Sequence, residues 1–150
     1  MLRRYTDAQV PDAPVDEALR TDFEGITDEV SALLGQAEVT QALERIWQRV
    51  RRLNRYVEEQ APWKLAKDET QADHLRVVLR SLAEGLRTVT VLLHPYLPES
   101  TGKLLDALGV PAGGGDGDGA QRLSLAGAAF GAGPAGTPVG ELAPLFPKPE

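Results

Sequence analysis

From Val39 to Val57 the apolar residues Val39, Leu43, Ile46, Val50, Leu53 and Val57 are spaced alternately by four and three positions. Side chains at that spacing fall on one side of an α-helix, so the stretch from Glu38 to Gln60 is a helix that needs other elements to cover it. Pro62 ends the run, because a proline drives the residue before it, here Ala61, away from helical angles. The pattern resumes at Leu75, Val78, Leu82, Leu86, Val89 and Leu93, which predicts a second long helix over about Thr70 to Leu93. Pro95 and Pro98 interrupt it, and "PESTGKLLDALG" reads as a shorter helix stopped by Gly109 and Pro111. Upstream, Leu19, Phe23, Ile26, Val30 and Leu33/Leu34 predict one more helix within "VDEALRTDFEGITDEVSALLGQAE".

These helices have short connections and no strand-like alternation between them. The fold class is therefore all-α, an antiparallel helix bundle over residues 1–110. Residues 111–150 hold ten of the fifteen glycines and six of the eleven prolines. That composition predicts an irregular, mobile linker and extended C-terminal tail without a core of its own. Disorder is expected around 112–120. Weak docking is expected near 140–147, through Leu142, Leu145 and Phe146.

Several function classes are excluded by what the sequence lacks. With no cysteine, disulfides, zinc–thiolate sites and thiol catalysis are out. The run "VTVLL" at 89–93 is far too short to span a membrane, and no apolar stretch follows the first arginines as a signal peptide requires. A cytoplasmic chain without membrane association is expected. "GGGDGDG" at 113–119 lacks the lysine and hydroxyl residue of a phosphate loop, and a calcium loop begun at Asp116 would put Gly127 where a glutamate belongs, so it reads as linker. His74 and His94 have neither a histidine four residues away nor a nearby nucleophile to activate. His94 is expected to complement a helix C-terminus. No catalytic residue and no metal site are expected.

The net charge of −6 conceals one basic segment. Residues 45–67 carry Arg45, Arg49, Arg51, Arg52, Arg55, Lys64 and Lys67 against only Glu58 and Glu59. A phosphate docked there would feel mainly this local excess, because the Debye length is roughly 8 Å at physiological salt. Arg45, Arg49 and Arg52 share one helix face, beside a row formed by Arg51 and Arg55. A solvated polar face is the ordinary reading of such a pattern, and the missing counter-charge favours an anionic partner.

In the same segment Trp63 follows Pro62 at the helix break, with Lys64 and Lys67 within a turn. Its spacing fits two roles equally, a cap on the bundle core or an exposed ring. Exposed aromatic rings with flanking cations are what single-stranded RNA recognition uses: bases stack at roughly 1–3 kcal/mol each and cations hold the backbone. Trp47, beside Ile46, is expected to be packed.

"NRYVEEQAPWKLAKDE" (54–69) and "ADHLRVVLRSLAEGLRTVTVLLHPYLPESTGKLLDALGV" (72–110) resemble the C-terminal anticodon-binding domain of methionyl-tRNA synthetases, which are class I aminoacyl-tRNA synthetases. The opening "LRRYTDAQVP" and the closing "GTPVGELAPLFPKPE" are similar to that family too, as the end of the domain's first helix and the C-terminal segment. The resemblance implies a helix bundle of the class I anticodon-binding type, in which Trp63 stacks on the first base of the CAU anticodon of a methionine-accepting tRNA. By the same motif Asn54 and Tyr56 are anticodon-site candidates, with Tyr56 and Leu65 as positioning residues. Arg45, Arg49, Arg52, Arg55, Lys64 and Lys67 are the phosphate-contact candidates. In this family an asparagine and an arginine that read the anticodon precede "RRYTDAQVP" and lie outside this sequence.

The family's His-Ile-Gly-His and Lys-Met-Ser-Lys-Ser type signatures are absent. ATP and methionine are therefore expected to bind a catalytic domain missing from this chain, which by itself should hold no cofactor and activate no methionine. The competing expectation is a free-standing helical-bundle protein-interaction module without RNA function, because an incomplete first helix would leave apolar surface uncovered.

Overall fold

The computed structural model describes residues 1–110 and 123–145. The stretch 112–120 expected to be disordered, the "GGGDGDG" run and Phe146 lie outside the described residues. The elements are α1 (Leu2–Tyr5), α2 (Glu17–Phe23), α3 (Ile26–Gly35), α4 (Val39–Gln60), α5 (Pro62–Leu65), α6 (Ala72–Leu93) and α7 (Pro98–Ala107), with a 3-10 turn at Glu69–Gln71. Among the described residues no strand forms; Gln9 and Pro138 make one isolated bridge.

The upstream helix predicted as one piece is two. Gly25 adopts φ 71°, a left-handed conformation open to glycine, and turns the chain between α2 and α3. Phe23 and Ile26, on either side of this turn, then both reach the core at 1% exposure. The carboxylate of Asp16 starts α2 by accepting from the backbone N–H groups of Ala18 (2.8 Å) and Leu19 (3.4 Å). α3 stops in a paired cap: Ala37 N–H donates to Leu34 O at 3.0 Å and Glu38 N–H to Leu33 O at 2.9 Å.

α4 has the boundaries its periodicity predicts, but its buried side is rotated by about one position. Ala42, Ile46, Leu53 and Tyr56 are buried, whereas Val39 is 45% exposed and Leu43, Val50 and Val57 are half-buried. The rotation arises because α4 packs against both α3 and α6, so its covered surface is wider than one stripe. α4 and α6 run antiparallel: Gln60 meets His74 at one end, Leu53 faces Gly85 further along, and Trp47 and Leu93 line one groove at the other. Each fully buried aliphatic or aromatic side chain at this contact, such as Ile46 or Val78, contributes about 1.5–3 kcal/mol.

α6 is the central element and is enclosed on more than one side. Its predicted stripe is only partly buried, with Leu82, Leu86 and Leu93 at intermediate exposure. Leu79, Ala83, Val91 and Leu92 are buried on other faces, together with Arg80, Glu84 and Arg87. These charged groups are enclosed because they bind one another and the segment 123–145. Glu84 is ion-paired to Arg87 at 2.7 Å and Arg80 at 3.5 Å, and its Oε1 accepts from the N–H groups of Gly131 (2.8 Å) and Gly133 (3.0 Å). Arg80 donates to Gly133 O at 2.7 Å and Arg87 to Ala129 O at 2.7 Å.

Segment 123–145 is irregular in conformation and follows the bundle surface closely. Ala128 is fully buried, and the Phe130 ring lies 5.0 Å from that of Phe23. Further on, Val10 N–H donates to Thr137 O (2.9 Å), Gly140 N–H to Ala107 O (2.8 Å), and Arg3 pairs with Glu141 at 2.7 Å. Leu142 and Leu145 line apolar grooves.

Candidate nucleic-acid interface

α4 ends at Gln60, and Ala61 joins it to α5 in a left-handed conformation, φ 42° and ψ 60°. The proline rule correctly ends the helix there but points to an extended Ala61, which the structure does not have. Pro62 occupies the first position of α5, where its missing N–H costs nothing. Pro62 is buried and Leu65, three positions on, packs against the core cluster. With that side of the turn held inward, Trp63 is 42% exposed and Lys64 and Lys67 are exposed. Among the described residues Asp68 makes no ion pair with Lys67; its Oδ1 accepts from Thr70 N–H at 3.0 Å and from the Thr70 hydroxyl at 2.6 Å, bonds that lower its carboxyl pKa.

The predicted phosphate-contact candidates divide into two groups. Arg45 pairs with Glu29 at 2.8 Å and Arg49 approaches the same carboxylate at 3.9 Å. Arg52 is hydrogen-bonded to Asp22 and pairs with Glu59 at 3.1 Å. Burial opposes the charge on the Arg52 guanidinium, but Asp22 and Glu59 outweigh it and raise its pKa. Arg51 is likewise paired, with Glu44. The counter-charge that the segment 45–67 lacks is thus supplied by α2, α3 and the start of α4. Among the described residues no ion pair engages Arg55, Lys64 or Lys67.

Tyr56 does not face solvent. It is 1% exposed, its hydroxyl donates to Asp16 Oδ2 at 3.0 Å, and the Arg52 guanidinium lies 5.7 Å from its ring centre. Burial and the Asp16 carboxylate raise its hydroxyl above the usual tyrosine value. The backbone N–H of Asp16 also donates to Ser81 Oγ at 2.7 Å, so one residue ties α2 to α4 and α6. No local pattern pointed to Asp16, which lies forty positions from Tyr56. Asn54 is exposed and lies on the lip of an apolar groove of about 400 Å³ between α4, α6 and α7. Trp47, expected to be packed, is 45% exposed and lines the same groove.

His74 Nε2 lies 2.9 Å from Gln60 Oε1 and closes the base of the excursion that carries Trp63. His94 is the C-terminal cap residue of α6, but its ring does not serve that helix's last carbonyls. Its Nδ1 is 2.8 Å from Thr101 Oγ1, and the Thr101 hydroxyl also lies 2.7 Å from Leu97 O. Among the described residues no helix is long and apolar enough to cross a membrane, and no group of acidic or histidine side chains is arranged to hold a metal ion.

The family model described as the anticodon binding domain of methionyl tRNA ligase matches residues 8–133. The methionine–tRNA ligase of Deinococcus radiodurans is 36% identical over 154 aligned positions, covering 100% of this chain and 21% of that protein. That of Fusobacterium nucleatum is 33% identical over 114 positions, covering 73% of this chain and 18% of its own length. Mycobacterium tuberculosis methionyl-tRNA synthetase in complex with methionyl-adenylate superposes with a TM-score of 0.83 at 28% identity, over 99% of this chain and 28% of that one. The chain thus spans about a fifth of the length of the curated relatives it matches. It belongs to the family of anticodon-binding domains of methionyl-tRNA ligases.

Proposed function

We propose that this chain binds the CAU anticodon loop of a methionine-accepting tRNA, with Trp63 stacking on the first anticodon base and Arg55, Lys64 and Lys67 holding adjacent phosphates. The observation that carries the reading is the Trp63 turn: an exposed indole beside a buried proline, with two exposed lysines within a turn that no ion pair engages among the described residues. Every base has a π-face, so such a ring supplies affinity, while the cations offset a helix C-terminus that would otherwise repel phosphate. Asn54 is exposed close by in sequence and is available for a polar contact; Tyr56 is buried and acts by fixing α4 to α2 through Asp16. Arg45, Arg49 and Arg52 hold α4 to α2 and α3 and contribute to the long-range field. Ligation of methionine to the tRNA, with ATP, is assigned to a catalytic domain of a longer enzyme acting in the cytoplasm.

The test is titration of the chain with a synthetic CAU anticodon stem-loop RNA. Trp63→Ala is expected to weaken binding by about 1–3 kcal/mol while the helical circular dichroism stays unchanged. Loss of helicity in that variant would make Trp63 a core residue. Three phosphate contacts on a single-stranded loop give a slope of log K against log salt of about −2. The apolar groove beside Trp47 favours a second reading, a protein-interaction surface, for which association would be nearly insensitive to salt.

A further inference from the structure

Arg80, Glu84 and Arg87 follow one another along α6 and are each more than nine-tenths buried. Among the described residues, their hydrogen-bond partners outside α6 are all backbone groups of residues 127–134. Glu84 Oε1 accepts from the N–H groups of Gly131 (2.8 Å) and Gly133 (3.0 Å), and the two arginines donate to carbonyls on either side of them. Such charge-assisted bonds are roughly twice as strong as neutral ones, and they replace the hydration that the buried charges have lost. With the segment lifted away, the same three side chains return to water, where a charge needs no protein partner. An apolar face uncovered in the same way would have no such alternative.

Backbone groups are common to every peptide, so selectivity lies in the space around them. A Cβ at position 133 would meet Glu84 Oε2 and Arg87 Nε, which leaves room for glycine. Gly131 has φ 93°, a conformation that a side chain opposes. Ala128 is fully buried and the Phe130 ring lies 5.0 Å from that of Phe23, so one small and one aromatic side chain anchor the segment to the bundle. Ala132, between the two glycines, is exposed. We infer that this face of α6 is a peptide-binding site for the pattern Ala-x-Phe-Gly-x-Gly, which the chain fills with its own residues 128–133. The segment is a ligand held in cis: it docks on the bundle, opens as a unit, and can be replaced by a separate peptide of the same pattern.

The experiment uses the whole chain carrying Phe130→Ala and Gly133→Ala, which removes from its own segment two features that the site reads. A fluorescein-labelled peptide of residues 124–136, SLAGAAFGAGPAG, is titrated with this variant and followed by anisotropy. Saturable binding is expected, with binding to the parent at least about tenfold weaker, as when the parent's site is open less than about a tenth of the time. The same peptide carrying Gly133→Ala or Phe130→Ala is expected to bind the variant at least about tenfold more weakly than the unaltered peptide. No binding to the variant, equal binding of the altered peptides, or equal binding by the parent would overturn the inference. Hydrogen exchange of the unaltered chain tests it without any substitution. The Gly131 and Gly133 amides, which Glu84 holds, are expected to exchange together and at least about tenfold faster than the amides of α6 between Val78 and Val91. One common rate for both sets would also overturn the inference, because the segment would then open only when the bundle does.

Discussion

Pro62 and Trp63 are adjacent in the chain and face opposite ways: Pro62 is buried, and Trp63 is 42% exposed. Both sides of this turn carry covered apolar surface. Trp63→Ala removes a ring that is about half covered and is expected to lower unfolding free energy by about 1–2 kcal/mol without loss of the helical fold. Leu65→Ala, on the inner side, is expected to cost about 1–2 kcal/mol, less than truncation of a fully buried leucine. Urea titrations of the two variants measure both losses.

Tyr56→Phe deletes the hydroxyl that donates to Asp16 and leaves that carboxylate one partner short. A hydrogen bond to a charged, half-buried acceptor corresponds to a loss of about 1–2 kcal/mol, read by the same titration. Retention of full stability would show that the Tyr56 ring alone fixes α4 against α2.

Glu84 lies between two arginines in the interior of α6. Glu84→Gln leaves both without a carboxylate and is expected to cost about 3–5 kcal/mol at neutral pH. Burial opposes ionisation of Glu84, but the hydrogen bonds and charge of Arg87, the Gly133 N–H and Arg80 outweigh it and lower its pKa in the folded protein. Its contribution is therefore fully present above the unfolded glutamate value of about 4.3, and is lost as pH falls from there through the folded value. Thermal unfolding of parent and variant should accordingly converge in acid; a difference independent of pH would contradict the assignment.

A Cβ added at Gly133 would meet the Glu84 carboxylate and the Arg87 guanidinium, neither of which has room to withdraw. Gly133→Ala is expected to cost about 1–3 kcal/mol and to speed hydrogen exchange of the amides at 127–133. Gly102→Ala in α7 is the control of opposite sign: nothing lies within 4 Å of the added Cβ, and stability should rise by up to about 1 kcal/mol.

The long helices were legible because a 4-3 apolar spacing has no other low-energy solution, and Pro62 and Pro98 mark ends that depend on local sterics alone. The division of α2 from α3 was missed because Phe23 and Ile26 keep helical spacing across Gly25, so periodicity continues where the backbone does not. The charge pattern misled for a different reason. Arg45, Arg49 and Arg52 look unbalanced when counted along the chain, but Glu29 and Asp22 reach them from other helices. Burial of Arg80, Glu84 and Arg87 was unreadable too, because their partners are backbone groups of a glycine-rich segment with no pattern of its own. At the candidate site the Pro-Trp pair and its lysines stood out in the sequence, whereas Ala61 and Asp16 required three dimensions.

The central claim, that Trp63 stacks on an anticodon base, is tested most directly by its own fluorescence. In the whole chain carrying Trp47→Phe, which leaves Trp63 as its only tryptophan, addition of the CAU stem-loop is expected to quench Trp63 emission saturably, and replacing the first anticodon nucleotide by an abasic residue is expected to abolish the quenching. Binding without any change in Trp63 emission, or equal quenching by the abasic loop, would contradict it.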